Sequence, residues 1–484
     1  MYNQDKYEAI IGLEVHSQLL TESKAFCTCS TKFGDTPNTN TCPVCLGHPG
    51  ALPTLNEKLV EYAIKMGLAT NCHIRQSSIF ARKNYFYEDL PKGYQISQYD
   101  QPICYDGFIE IELDEFSTKK IGITRIHMEE DTGKSIHDID IDTLLDFNRC
   151  GIPLIEIVSE PDIRSADEAY KYLEQLRQIL LYLGISTANM EEGALRCDAN
   201  ISVRLRGEKN FGTKTEVKNL NSFRNVQKAI EYEIQRQIEE IESGNIIHQE
   251  TRLWDAAKHQ TRVMRTKEMA HDYRYFPEPD LVEVFVEDKF QNEILNTLPE
   301  LPLQKKKRFI KDYSINNYDA TILVNDYDLA NFYENTIKCF SQPDKNKNKL
   351  VSNWIQTEVL RILSEQNISI NELNLSANNL SELIELLASD KISSRIAKDI
   401  FPEIISTGKN PNAIIKEKNL VQVSDDALIE SIVKKIIDEN PDNVQKYKNG
   451  KNNLFGFFVG QVMKETQGKA NPKIINKFLE KYLS

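Results

Sequence analysis

Arg196, Asp198, Asn200, Ser202 and Arg204 occupy every second position of ALRCDANISVRL (Ala194–Leu205), against Leu195, Cys197, Ala199, Ile201, Val203 and Leu205. In a strand this alternation puts the two sets on opposite faces. Two guanidinium groups around a carboxylate, an amide and a hydroxyl can hold phosphate oxygens and a divalent cation. The same pattern also describes a solvated strand face. Repetition elsewhere favours the working face.

In IGLEVHSQL (Ile11–Leu19), Glu14, His16 and Gln18 oppose Ile11, Leu13, Val15 and Leu19. In GITRIHMEEDTGK (Gly122–Lys134), Arg125, His127 and Glu129 share a face, and Glu130 and Asp131 follow. Glu156 lies inside the apolar run PLIEIVSEP, where a buried carboxylate is costly unless it is paired or bound to a metal. Lys214, Glu216 and Lys218 alternate with Thr215 and Val217. Each segment alone is also compatible with a half-exposed strand or a structural salt bridge. Together they supply the oxygen ligands and cationic groups that a Mg²⁺-bound nucleotide needs. No P-loop, dinucleotide fingerprint, kinase signature or G-x-S-x-G elbow is found, so any nucleotide chemistry uses a metal site borne on a sheet.

Cys27-x-Cys29, then Cys42-Pro-Val-Cys45, supplies two close thiol pairs. Four thiolates complete a tetrahedral S4 shell, which suits a structural Zn²⁺ with no open position. The other five cysteines (72, 104, 150, 197 and 339) are expected to be apolar fillers.

The elements that must position these groups are strands up to about residue 293, with two helices among them. Ser165 and Glu168 open one in a capping-box spacing, Ala169, Leu173, Leu176, Leu180 and Leu183 form its stripe, and Gly184 stops it. The second follows Ser222 and ends before Gly244. The one-sided alternation predicts an α+β fold whose antiparallel sheet has one face on helices and the other open. After Pro299 and Pro302 the periodicity becomes helical, and a second break falls at residues 405–419. The expected divisions are a catalytic region over 1–293, a helical region over 294–402 and a small helical tail over 403–484.

The chain has 484 residues and a net charge of −13, which argues against a surface coated in nucleic acid. The charge is uneven. From Val444 onward, eight lysines face only Glu465 and Glu480, a local +6 suited to meeting a polyanion. Tyr447, Phe455, Phe457, Phe458 and Tyr482 there are expected to be the core of a small bundle. No apolar run is long enough to span a bilayer, and the start has neither signal nor transit composition, so a cytoplasmic location and no membrane partner are expected.

IGLEVHSQL, RKNYFYEDLPKGYQISQYDQP (Arg82–Pro102), GITRIHMEEDTGKS, PLIEIVSEPDIRS, LRCDANISVR, TEVKNLNSF, DYRYFPEPDL (Asp272–Leu281) and GQVMKETQGKANP (Gly460–Pro472) occur in order along the chain. They resemble the B subunit of the heterotrimeric glutamyl/aspartyl-tRNA amidotransferases. The resemblance implies a glutamine-synthetase-like cradle, a helical domain and a tail that contacts tRNA. It implies ATP-dependent phosphorylation of the side-chain carboxylate of glutamate or aspartate mischarged on tRNA. An amidase-like A subunit would then supply ammonia for the amide, with a small C subunit tying the two together. Carried onto this chain, the Mg²⁺ ligands fall on Glu14, His16, Glu129, Glu130 and Glu156, and Arg196, Asp198, Asn200, Lys218 and Asn219 match positions near the ATP phosphates. Glu129, Glu130, Arg196 and Lys218 are the expected catalytic groups, and Lys464, Lys469 and Lys473 the expected tRNA contacts. The four cysteines occur in only some members, so their zinc is expected to support the cradle and stand apart from the shared chemistry. A stand-alone ATP-dependent ligase and a non-catalytic tRNA-binding scaffold are the competing readings.

Overall fold

The structure is a computed structural model that describes residues 6–136, 140–266, 273–418, 420, 426–466, 470 and 472–483. It separates into two compact units, Met1–Pro302 and Leu303–Ser484.

The first unit is built on a nine-stranded sheet. Across the sheet the strands run Gln260–Thr266, Glu250–Asp255, Thr215–Leu220, Leu195–Leu205, Tyr7–Gln18, Pro153–Ser159, Thr118–Glu130, Cys104–Glu112 and His73–Ile74. Every pairing is antiparallel except that of Thr215–Leu220 with Glu250–Asp255, which is parallel. The sheet is thus antiparallel as expected but for one pair, whose cause is the helix Phe223–Glu242 between those two strands. A helical crossover returns the chain in the same direction.

One face of the sheet is apolar, as the alternation requires. Leu13, Val15, Ile155, Ile157, Cys197, Ala199 and Ile201 pack there with Leu173, Leu176 and Leu180 of the helix Ala166–Tyr182 and with Val226 and Ile230 of the next. Burying each such large side chain stabilises the fold by about 1.5–3 kcal/mol. Both helices start where the serines place them: Ser165 accepts the Glu168 N–H at 3.1 Å and Ser222 the Asn225 N–H at 3.1 Å. The Glu168 carboxylate reaches back to the Arg164 N–H at 2.8 Å.

The division expected at 293 falls inside the helix Asp288–Thr297, whose Ile294 belongs to the first unit's core. The second unit is helical and holds two separate apolar clusters, one from Phe309 to Ile415 and one from Ile429 to Leu483. The division expected after 402 lies inside the helix Ser394–Thr407, and the chain passes from one cluster to the other only after Ile415. Phe458 is fully buried in the terminal cluster, and Tyr447, Phe455, Phe457 and Tyr482, partly buried, pack against that cluster, so the aromatics of the tail belong to its core. Among the described residues, no helix is long and apolar enough to cross a membrane.

Candidate functional site

The face of the sheet away from the helices carries a row of charged side chains set by strand register. Arg196 lies opposite His16, His16 opposite Glu156, and Glu156 opposite His127, so four adjacent strands contribute one residue each. Glu129 lies two residues beyond His127 and therefore on the same face. His127 Nε2 is 3.1 Å from Glu129 Oε1 and 3.2 Å from Glu156 Oε2, and His16 Nε2 is 3.3 Å from Glu156 Oε2. One ligand atom from each of His16, Glu129 and Glu156 falls within 4.8 Å of the others, close enough to share one cation.

Burial raises the cost of charge on this cluster, yet its carboxylates stay ionised. Burial pushes Glu156 up, but His127 and His16 outweigh it and hold the carboxyl well below its usual range. The effect on His127 is reciprocal: burial lowers it, and Glu156 and Glu129 raise it to about 9. Ser97 Oγ donates to Glu129 Oε1 at 2.6 Å and Gln95 Nε2 to Glu129 Oε2 at 3.3 Å.

Beside this cluster, Glu14 lies opposite Asp198, and Asn200 Nδ2 donates to Glu14 Oε1 at 2.8 Å. Lys218 Nζ is 2.5 Å from Asp198 Oδ2 and 3.5 Å from Glu216 Oε1. Arg196 Nη2 is 2.8 Å from Asp131 Oδ1. Three buried polar atoms here have no hydrogen-bond partner: His127 Nδ1, Arg196 Nε and Asn200 Oδ1. Buried polar atoms are nearly always satisfied in a finished structure, and three orphans in one place mark a site shaped for something else.

A cavity of about 310 Å³ opens over the row, lined by Glu14, His16, Glu156, Asp198 and Lys218 among others. Arg125, from the same strand face as His127 and Glu129, also lines it, together with residues to which the sequence motifs assign no role: Lys83, Tyr99, Tyr273 and Tyr275. Tyr99 and Tyr275 stack at 4.2 Å, and Lys83 Nζ lies 5.1 Å from the Tyr273 ring centre. Burial opposes the charge of Lys83, but Glu129, Tyr275 and Glu156 raise its pKa above the usual lysine range. The available signal was the aromatic density of RKNYFYEDL and DYRYF, two segments nearly two hundred residues apart. Local periodicity cannot show that they meet, yet Phe276 pairs with Arg82 across a small separate sheet.

Two expected site residues are not brought to this face. Glu130 follows Glu129 in the same strand and so points the other way. Its carboxylate pairs with Lys92 and accepts the Ile96 N–H at 2.9 Å, which excludes it from the metal cluster. Asn219 adopts a left-handed backbone (φ 65°), and its side chain donates to the Trp254 carbonyl at 3.1 Å, away from Lys218 and its partners.

The four cysteines do converge. Their sulfurs all lie within 4.8 Å of one another, and Cys42 Sγ and Cys45 Sγ are 3.8 Å apart. A tetrahedron with metal–sulfur bonds of about 2.3 Å has edges of about 3.8 Å, so the cluster fits a structural Zn²⁺. Of the expected tRNA contacts, Lys464 is exposed on the helix Leu454–Glu465, Lys473 is exposed and 3.1 Å from Asp390 Oδ2, and Lys469 lies outside the described residues.

Comparison with known proteins places this chain in a family. Residues 9–292 match the GatB/GatE catalytic domain, and residues 332–483 match the GatB domain. A protein from Thermodesulfovibrio yellowstonii is 56% identical over 478 residues, covering 99% of both chains. Proteins from Chlorobium phaeobacteroides (53% over 477 residues) and Caldicellulosiruptor saccharolyticus (54% over 482 residues) likewise match over 99% of both chains. All three are named as the B subunit of an aspartyl/glutamyl-tRNA(Asn/Gln) amidotransferase. The motifs along the strands, the two matched domains and full-length identity above one half agree, and the chain belongs to the family of aspartyl/glutamyl-tRNA amidotransferase B subunits.

Proposed function

We propose that the open face of the sheet binds ATP with Mg²⁺, phosphorylates the side-chain carboxylate of glutamate or aspartate carried on tRNA, and there converts the acyl phosphate to the amide. The observation that supports this most is the row His16–Glu156–His127 with Glu129 beside it, where two nearly buried carboxylates lie close enough to share a cation. Glu14, His16, Glu129 and Glu156 would hold Mg²⁺, which when bound neutralises phosphate charge. Arg196 and Lys218 would meet phosphate oxygens, with Asp131 orienting Arg196, Asp198 orienting Lys218 and Asn200 orienting Glu14. Next to Glu14 and Asn200 a second cavity of about 460 Å³ has apolar walls from Ile10, Val158, Pro161 and Phe211, with Ser202, Thr213 and Gln249 as polar contacts. An apolar slot with a few polar groups suits a nucleoside.

The chemistry needs activation because oxide is a poor leaving group. The substrate carboxylate oxygen attacks the terminal phosphorus of ATP, the phosphorus–oxygen bond to ADP breaks, and an acyl phosphate forms. Ammonia then attacks the acyl carbon, inorganic phosphate leaves, and the nitrogen loses a proton. Positioning and charge neutralisation suffice for both steps, and no protein nucleophile is required.

The relatives' name makes each of them one component of a multi-subunit amidotransferase. For this chain we infer an amidase-like A subunit that releases ammonia from glutamine, a small C subunit, and a mischarged tRNA held by the lysine-rich tail, in the cytoplasm. The test is a reconstituted complex given Glu-tRNA(Gln) and Asp-tRNA(Asn) separately. Phosphate release and amide formation that require ATP, Mg²⁺ and charged tRNA are expected. Amidation without ATP would sink the proposal.

A further inference from the structure

The four thiols stand beside the carboxylate site, and two chains of contacts join them to it. Gly47, two residues past Cys45, has φ +68° and lies so close to Lys92 that a Cβ there would come within 2.6 Å of Lys92 Cγ. Lys92 in turn pairs with Glu130, their side chains 5% and 3% exposed. The Glu130 oxygen that Lys92 pairs with also accepts the Ile96 N–H at 2.9 Å, and the adjoining Gln95 donates through Nε2 to Glu129 Oε2 at 3.3 Å, so the strand that Glu130 anchors also holds its neighbour in the metal cluster. On the second route, Cys150 Sγ donates to the Cys45 carbonyl at 3.2 Å. The adjoining Gly151 N–H donates at 2.8 Å to the carbonyl of Asp131, whose carboxylate grips Arg196.

We propose that the metal-bearing cysteine knuckle positions Glu129 and Arg196, and that Lys92 is the positioning residue on the route to Glu129. A dication among four thiolates fixes the Cys42–Gly47 loop, and that loop packs against the Lys92 side chain that pairs with Glu130. Without the ion the thiols no longer share a centre and the loop relaxes. Lys92 then loses its wall and Glu129 loses a fixed hydrogen-bond partner. The inference rests on the nucleotide reading for its consequence, but the coupling itself has a readout independent of it.

Coupling between two sites is reciprocal, so it can be read from the zinc side. In the full chain, zinc is expected to bind about tenfold more weakly in Lys92→Met than in wild type, which with unchanged uptake reads as faster release to a chromogenic chelator. Lys92→Arg, which keeps the charge, should restore slow release. Lys92→Met strands a buried carboxylate and can unfold the chain, so the double variant Lys92→Met, Glu130→Gln makes the same measurement with no stranded charge. From the other side, Cys42→Ser should weaken Mg²⁺-ATP binding, measured by calorimetry, by a similar factor. Wild-type release rates in both Lys92→Met variants, or release from Lys92→Arg as fast as from Lys92→Met, would overturn the proposal. So would unchanged Mg²⁺-ATP affinity in Cys42→Ser, or a wild-type chain that retains no metal at the cysteines. A wild-type chain that takes up no Mg²⁺-ATP while Lys92 still governs zinc release would sink the nucleotide reading and leave the coupling standing.

Discussion

On the sheet, His127 lies within hydrogen-bonding reach of both Glu129 and Glu156, and all three are almost out of water; on the terminal helices Lys464 and Lys473 stand in solvent. The sheet holds its charges by register. Each strand contributes one residue to a row, and a shift of one position would turn the whole set into the core. The helices present theirs on a curved surface over a small core from Ile429 to Leu483, where a lysine can move by a turn and still face solvent. Position is strongly specified in the first region and weakly in the second. That suits metal chemistry in one and sequence-independent phosphate contact in the other.

The comparison breaks most sharply at Glu129 and Glu156. Changing either to alanine is expected to cost on the order of 10²–10³ in ATP-dependent amidation, the scale for losing a group that stabilises charge in the transition state. Glutamine hydrolysis by the partner subunit should change far less. The measurement is amide formation on charged tRNA across a Mg²⁺ titration, and unimpaired turnover at low Mg²⁺ would remove these residues from the metal site.

Ending the chain after Leu420 removes the terminal cluster and spares the helix that a cut at 402 would break. This truncation is expected to weaken tRNA binding about a hundredfold at low salt, because several lysine–phosphate contacts are lost together. ATP binding by the sheet should persist. Filter binding or anisotropy with tRNA checks the first outcome and calorimetry with Mg²⁺-ATP the second.

A smaller effect belongs to the cysteines. Metal analysis of the wild-type chain purified without chelator should find about one zinc, and Cys42→Ser should lose it. The melting temperature should then fall, by about 2–4 °C for each kcal/mol of stability lost in a domain of this size. A wild-type chain without zinc would end the assignment.

These regions also differ in how well the sequence discloses them. Alternation from Leu195 to Leu205 separates the two faces directly, because apolar residues fill one side without a break, but only its repetition on other strands distinguishes a working face from a solvated one. The serine caps at 165 and 222 are local hydrogen-bond chemistry and fall where expected. Glu130 shows the limit of matching by motif. Two adjacent glutamates both fit the family pattern, yet strand geometry allows only one to face the site, and the partner that captures the other, Lys92, is 38 residues away. Lys83 and the tyrosines around it meet only through tertiary pairing. Asn219 depends on a left-handed backbone that its neighbours do not announce. In the tail the helical periodicity and aromatic core are readable, but the same lysine pattern serves a bare bundle and a nucleic-acid surface alike.

The gentlest test asks whether those lysines are idle. Lys464, Lys469 and Lys473 changed together to alanine leave the aromatic core untouched, since Phe458 and its neighbours make that core without them. Each phosphate contact removed should lower the slope of log affinity against log salt by about 1, so three contacts lower it by about 3. The apparent Michaelis constant for charged tRNA should rise several-fold while the turnover at saturation stays near wild type, because these groups hold the body of the tRNA and touch no reacting atom. Lys473 has an acidic neighbour in Asp390, 3.1 Å away, which partly offsets its charge and predicts that it contributes less than exposed Lys464. Asp390→Asn should therefore tighten tRNA binding slightly and steepen its salt dependence. An unchanged salt slope in the triple variant would make the lysines a solvated surface, and the sheet would then be the only charged region of the two with a chemical task.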